Sequence, residues 1–272
     1  MAGNYFELSK KRQIELSDLA EFIANEHCPD TIIEPKIIAE SHDISFCFGN
    51  YEDAFDGLTE HEFGKFHIFI NFDRHSYKDS ERTRFTFAHE LGHYFIDEHR
   101  NSLMKGQTPA HPSFTDFSSK NPVEVEADFF AASLLMPRNR IMKDCFRKKF
   151  NFQIIQDLST KYKTSTTATA LKFASIGNHP IMIVRSSQNK IDWFRYSHDF
   201  PYKWPKGLKT NVPQYTLAGA FFKDGTRYDE TLPLTANDWF ENVWEKDVDR
   251  TFYEKCIYSD RHNFVLSVLW ED

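Results

Sequence analysis

Cysteine is scarce and unpaired in this chain: Cys28, Cys47, Cys145 and Cys256 make no CxxC pair. That spacing argues against a thiolate zinc site and against a disulfide framework, so the four are expected as reduced thiols. Long apolar runs are missing too. No stretch approaches the roughly 18 apolar residues that a membrane-spanning helix needs, and the opening MAGNYFELSKKRQIELSDL lacks the continuous apolar core of a signal peptide. A cytoplasmic protein with no membrane partner is the expectation. Basic charge is also not in excess. With 33 Lys and Arg against 40 Asp and Glu, the formal net charge is -7, which implies no general attraction to nucleic acid or anionic lipid. What is present is a globular composition, 40% hydrophobic and 27% charged over 272 residues, without an internal repeat or low-complexity tract.

Apolar positions along the chain alternate between two periods. Ile14, Leu16, Leu19, Ala20, Phe22 and Ile23 recur at helical spacing, predicting an amphipathic helix over residues 8–26. Residues 44–48 and 66–72 predict strands, the second with Phe66, Ile68, Ile70 and Phe72 on one face and expected at a sheet edge where an extended substrate pairs. Residues 79–98 return to helical spacing, with Asp79 or Ser80 as cap and Glu81 in the first turn. Residues 101–121 show no period and predict a long loop. Asn121, Pro122, Val123 and Glu124 then predict a helix start that runs to Met136. A helical pair over 152–162 and 166–174 has the outline of a helix-turn-helix. Its second helix offers only Lys172 among small residues, too little for reading DNA, so packing or docking of a repressor is expected of it. Beyond 174–178, a hairpin over 181–196 and a last strand over 264–270 predict a mainly β domain.

His89, Glu90 and His93 form HExxH. On a helix, two histidines four residues apart aim at one zinc ion, and the glutamate between them reaches the attacking water, takes its proton and passes it to the leaving amine. A catalytic zinc keeps three protein ligands. Glu124 is the expected third ligand, and Asp128, one turn further on, is expected to accept a hydrogen bond from the outer nitrogen of a ligating histidine. Glu126 points to another face. His99 and His111 are rival third ligands: His99 stands at the place of the third histidine of HExxHxxGxxH, but Ile96 replaces the glycine that the pattern needs, and His111 lies in the irregular stretch, where it could contact substrate. Glu124 also has a bland role available, as the partner of Asn121 in a capping box.

RFTFAHELGHYF from Arg84, followed by EVEADFFAASLLMP from Glu124, resembles the ImmA/IrrE metallopeptidase family over about residues 44–175. The family carries RFTxAHELGH and then ExxANxFAxxLLMP, so Asp128 stands where many relatives have Asn. The resemblance implies Glu124 as third ligand and a zinc-dependent endopeptidase whose substrate is a helix-turn-helix transcriptional repressor, cut to release stress, mobile-element or antiphage genes. The fold expected is α+β: a zincin-like peptidase domain over 1–175 that includes the helical pair, then a β-rich, GAF-like sensory domain over 178–272. In that second domain Trp193, Phe194, Tyr196, Phe200, Tyr202 and Trp204 interleave with Arg195, Lys203 and Lys206, a composition able to stack single-stranded DNA as an activator or simply to form a strand core. A repressor-binding or single-stranded-DNA-sensing module with a structural zinc and no cleavage is the alternative, and the intact Glu90 speaks for the enzyme.

Overall fold

Ser9 caps the first helix by accepting a hydrogen bond from Arg12 N (3.2 Å), and Leu16, Ala20, Ile23 and Ala24 form its buried side. The chain is known from a computed structural model that describes residues 8–74, 80–106, 111–113, 121–176, 179–259 and 263–271. It divides into two units. One comprises the described residues of Tyr5–Ile141 with Leu158–Ser165, the other those of Met142–Asp157 with Thr166–Asp272.

The first unit opens with α1 (Lys10–His27), α2 (Pro35–Ser41), β1 (Ser45–Gly49), β2 (Gly57–Glu62) and β3 (Lys65–Asn71). Then come α3 (Glu81–Phe95), α4 (Asp97–Met104), β4 (His111–Ser113) and α5 (Pro122–Leu135). Its sheet has the order β1-β3-β2-β4, with β1 parallel to β3 and the other pairs antiparallel. The core is made by Leu16, Ile23, Ile38, Ile68, Ile70, Phe87, Leu91, Phe130 and Leu134, so α1, α3 and α5 pack with the sheet.

Several expectations need correction here. The 66–72 strand is not an edge: β3 lies between β1 and β2, because its alternating Phe66, Ile68 and Ile70 are buried and its backbone is paired on both sides. The 79–98 helix is two helices, since Ile96 adopts an extended φ/ψ of -78°/112° between α3 and α4. Ser80 is the cap of α3, accepting from Thr83 N at 3.1 Å, and Asp79 lies outside the described residues. The 101–121 stretch is not wholly loop, because α4 extends through Met104 and His111–Ser113 pairs with β2; residues 107–110 and 114–120 lie outside the described residues.

After α6 (Arg138–Cys145), α7 (Phe152–Tyr162) and α8 (Thr166–Ile176) come β5 (Ile181–Ser187), β6 (Lys190–Tyr196), α9 (Leu217–Asp224), β7 (Leu232–Thr235), α10 (Ala236–Trp239), β8 (Thr251–Ser259) and β9 (Phe264–Glu271). The strands of the second unit make one antiparallel sheet, β6-β5-β9-β8-β7. Gln188 and Asn189 turn the β5–β6 hairpin at φ 47° and 59°, the left-handed pair that a tight hairpin requires. The aromatic stretch is split between core and surface. Phe200 and Tyr202 are buried against Phe240 and Phe252, whereas Trp204 is 57% exposed. Lys172, the one basic residue in the second helix of the 152–174 pair, where packing or docking is expected in place of DNA reading, is itself buried. Mixed helix and sheet in the first unit and a mainly β C-terminal sheet agree with the α+β expectation. Among the described residues no helix is long and apolar enough to cross a membrane.

Candidate metal centre

α3 is buried from Thr83 to His93. Arg84 fixes it by donating to Glu34 Oε2 (2.8 Å) and to the Ile33 carbonyl (2.6 Å). α5 crosses α3 at Gly92, where an added Cβ would stand 3.2 Å from Ala127 Cα and 3.2 Å from Phe130 Cδ1. That close approach brings the first turn of α5 over the histidines. Pro122 sits at N1 and the Asn121 side chain accepts from Val123 N (3.1 Å), so the N-terminus is capped while the Glu124 carboxylate faces α3.

The donors converge. His89 Nε2 and His93 Nε2 are 3.1 Å apart, and the Glu124 oxygens lie 3.3 Å and 3.6 Å from them. All three residues are buried, and one ligand atom from each lies within 4.8 Å of the others. Bonds of about 2.0–2.1 Å to a tetrahedral metal give donor–donor edges of roughly 3.3 Å, so the spacing and the nitrogen–oxygen donor set fit a zinc-type ion. His89 Nδ1–H donates to Asp128 Oδ1 at 2.8 Å, which leaves the Nε2 lone pair to face the cluster. Burial disfavours a charged His89 imidazole, yet the hydrogen bonds to Asp128 and Glu124 outweigh it and raise its pKa well above the usual value. A site with that much negative potential attracts a cation, whether a proton or a metal.

Glu90 is fully buried beside this cluster. Its Oε2 accepts from Thr59 Oγ1 at 2.7 Å, and burial pushes its pKa up to about 7 against the lowering influence of His89 and Thr59. Thr59 was not legible as a site residue: it stands in β2, whose sequence GLTEHE carries no apolar alternation. Gly57, on the same strand, is required by proximity, because a Cβ there would fall 2.5 Å from Glu90 Oε1.

The other candidates lie apart from the cluster. His99 packs its ring 5.3 Å from that of His93 and sets Nε2 3.3 Å from Glu126 Oε2, while Glu126 pairs with Arg12 at 2.6 Å. The backbone of His111 pairs with Thr59, and its side chain lies outside the described residues.

Residues 39–173 match the family model of the IrrE N-terminal-like domain, a stretch that holds every residue of the cluster. This part of the chain belongs to the IrrE N-terminal-like family. The IrrE-like domain thereby places the chain among relatives of metallopeptidases that act on transcriptional regulators. Among curated proteins nothing matches. Among solved structures the chain is similar to a Mycobacterium tuberculosis transcriptional regulator, with a TM-score of 0.60 and 14% identity over 98% of this chain and 77% of that one. At that identity the likeness is one of fold.

Proposed function

We propose that the chain is a zinc-dependent endopeptidase that cuts a helix-turn-helix transcriptional repressor at one site, releasing genes of stress response, mobile elements or antiphage defence. The buried His89–His93–Glu124 cluster, with Glu90 beside it, is the observation that carries the reading. His89, His93 and Glu124 are the ligands. When bound, zinc supplies Lewis acidity that acidifies water and polarises the scissile carbonyl. Asp128 holds the tautomer and orientation of His89. Thr59 holds the Glu90 carboxylate, which takes a proton from the attacking water at one oxygen and delivers it to the leaving nitrogen. Residues 1–175 form the peptidase part in this reading, and residues 178–272 a GAF-like sensory domain that gates it. Single-stranded DNA is a candidate signal, supported by the exposed Trp204 and Arg195.

The test is incubation of the wild type and Glu90→Gln with a panel of helix-turn-helix repressors from the same genome, with and without chelator and single-stranded DNA, read by product mass. Glu90→Gln is expected to keep its zinc and lose cleavage, because an amide cannot accept the water's proton. Equal cleavage by both proteins, or cleavage indifferent to chelation, removes the peptidase reading. Tight binding by both with no cleavage favours a repressor-binding module with a structural zinc.

A further inference from the structure

A cavity of about 230 Å³ opens beside His93, lined by Thr59, Glu98, His99, Ser102, Leu103, Asn121 and Val123 in addition to that histidine. Sites that enclose a whole small molecule run to about 300–1,000 Å³, so this one has room for a single side chain. Its place relative to the chemistry is defined by two walls. His93 carries a donor of the metal cluster, and Thr59 holds Glu90 at 2.7 Å. A side chain seated between them belongs to a residue next to the bond being cut.

The exposed surface of the lining is mostly carbon, with Leu103 and Val123 as its apolar residues among polar ones. Leu103 is 9% exposed and Val123 38% exposed, so one closes the pocket and the other stands at its mouth. The His93 and His99 rings lie tilted at 39°, and Nε2 of His99 is turned to Glu126. Among the described lining residues Glu98 is the one carboxylate, and it is engaged by Arg12 at 3.1 Å. An entering carboxylate would meet Glu98 and, behind the wall, Glu124 and Glu126. An entering ammonium would lose its water for a carboxylate that already has a partner.

We infer that this cavity is the pocket that selects the substrate, taking an apolar side chain of leucine or phenylalanine size from a residue flanking the scissile bond and refusing aspartate and lysine. The inference rests on the peptidase reading of the neighbouring cluster and adds the substrate class.

Two measurements on the zinc-loaded full chain test it. The first needs no cleavage: methyl-resolved NMR of Leu103 and Val123 during titration with the N-acetyl amides of leucine, phenylalanine, glycine, aspartate and lysine. Saturable shifts at Leu103 and Val123 are expected for leucine and phenylalanine, with affinity at least about tenfold above the other three, the scale of discrimination that filling an apolar pocket provides. Val123→Phe, at a 38% exposed position, is expected to abolish the Leu103 shift while leaving zinc content unchanged. The second is cleavage of a random peptide library by wild type and Val123→Phe. Enrichment of Leu and Phe at one position flanking the cut is expected, moving to Ala and Gly in the variant. Lysine or aspartate binding as tightly as leucine, no saturable shift, or a cleavage preference unmoved by Val123→Phe overturns the pocket. If the protein carries zinc and shows the methyl shifts yet cuts no peptide, the pocket stands and the peptidase reading falls.

Discussion

At Glu124 two demands of the chain compete. Its position three residues after Asn121 suits a capping box, in which the carboxylate would turn back to the Asn121 N–H. The fold resolves the competition with Pro122, which has no N–H to satisfy, and with the Asn121 side chain on Val123 N, so Glu124 faces the two imidazoles instead. His89→Ala, His93→Ala and Glu124→Ala are each expected to lose the metal, measured as zinc per chain after dialysis, because one of three ligands is gone. Full occupancy in Glu124→Ala would reject it as a ligand. Asp128→Ala is expected to keep the three donors and to bind zinc about 10- to 100-fold more weakly, since only the orientation of His89 is released. At this scale the sequence was highly informative. The spacing of HExxH and the EVEAD run named the residues that the fold brings together. It could not name Thr59, whose contact with Glu90 spans 31 positions and depends on strand register.

Elements were legible in proportion to their apolar periodicity. α1 and α5 bury a regular face, whereas α3 is buried all round and the β5–β6 hairpin is marked by its turn; all stand within a few residues of where the pattern puts them. β2 was invisible because the residues it turns inward are Gly57 and Thr59, small enough to lie against α3, and no apolar alternation marks such a strand. β4 is too short, at three residues, for any period. The small residues that hide β2 also set its distance from α3. Gly57→Ala is expected to push the Glu90 carboxylate aside, since its Cβ would meet Glu90 Oε1 at 2.5 Å and Thr86 Cγ2 at 2.7 Å. The expected result is a loss of roughly 100-fold in kcat with zinc content intact, the scale of effect produced by a misplacement of about 1 Å. Unchanged kcat would show that β2 does not position Glu90. Gly92→Ala acts on the other side of the same helix, against Ala127 of α5. There the expected outcome is a destabilisation of about 1–3 kcal/mol, from overpacking, together with weaker zinc binding, both measured on the same preparation by denaturant unfolding and chelator competition.

Across the whole molecule the two units carry different kinds of buried charge. In the first, carboxylates and imidazoles face each other in a cluster suited to a cation. In the second, a lone carboxylate is held by hydrogen bonds: Glu254 on β8 accepts from Leu217 N (2.8 Å) at the start of α9, from Trp239 Nε1 (3.0 Å) and from Ser267 Oγ (2.7 Å). Burial nevertheless dominates and raises its pKa above the ordinary 4.5. The folded unit therefore keeps a proton that the unfolded chain releases near pH 4.5. Its contribution to stability is full below that value and declines as pH rises toward the folded pKa. All five tryptophans, Trp193, Trp204, Trp239, Trp244 and Trp270, lie in this unit, so intrinsic fluorescence reads its unfolding selectively. Denaturant midpoints followed by tryptophan fluorescence are expected to fall as pH is raised from 4.5. Glu254→Gln is expected to remove that slope and to lower stability at pH 4 by about 1–3 kcal/mol, because with the amide oxygen kept on Leu217 N and Trp239 Nε1, the amide nitrogen at the other position cannot accept the bond from Ser267 Oγ. A Glu254→Gln protein with the wild-type slope would assign the pH dependence to other groups.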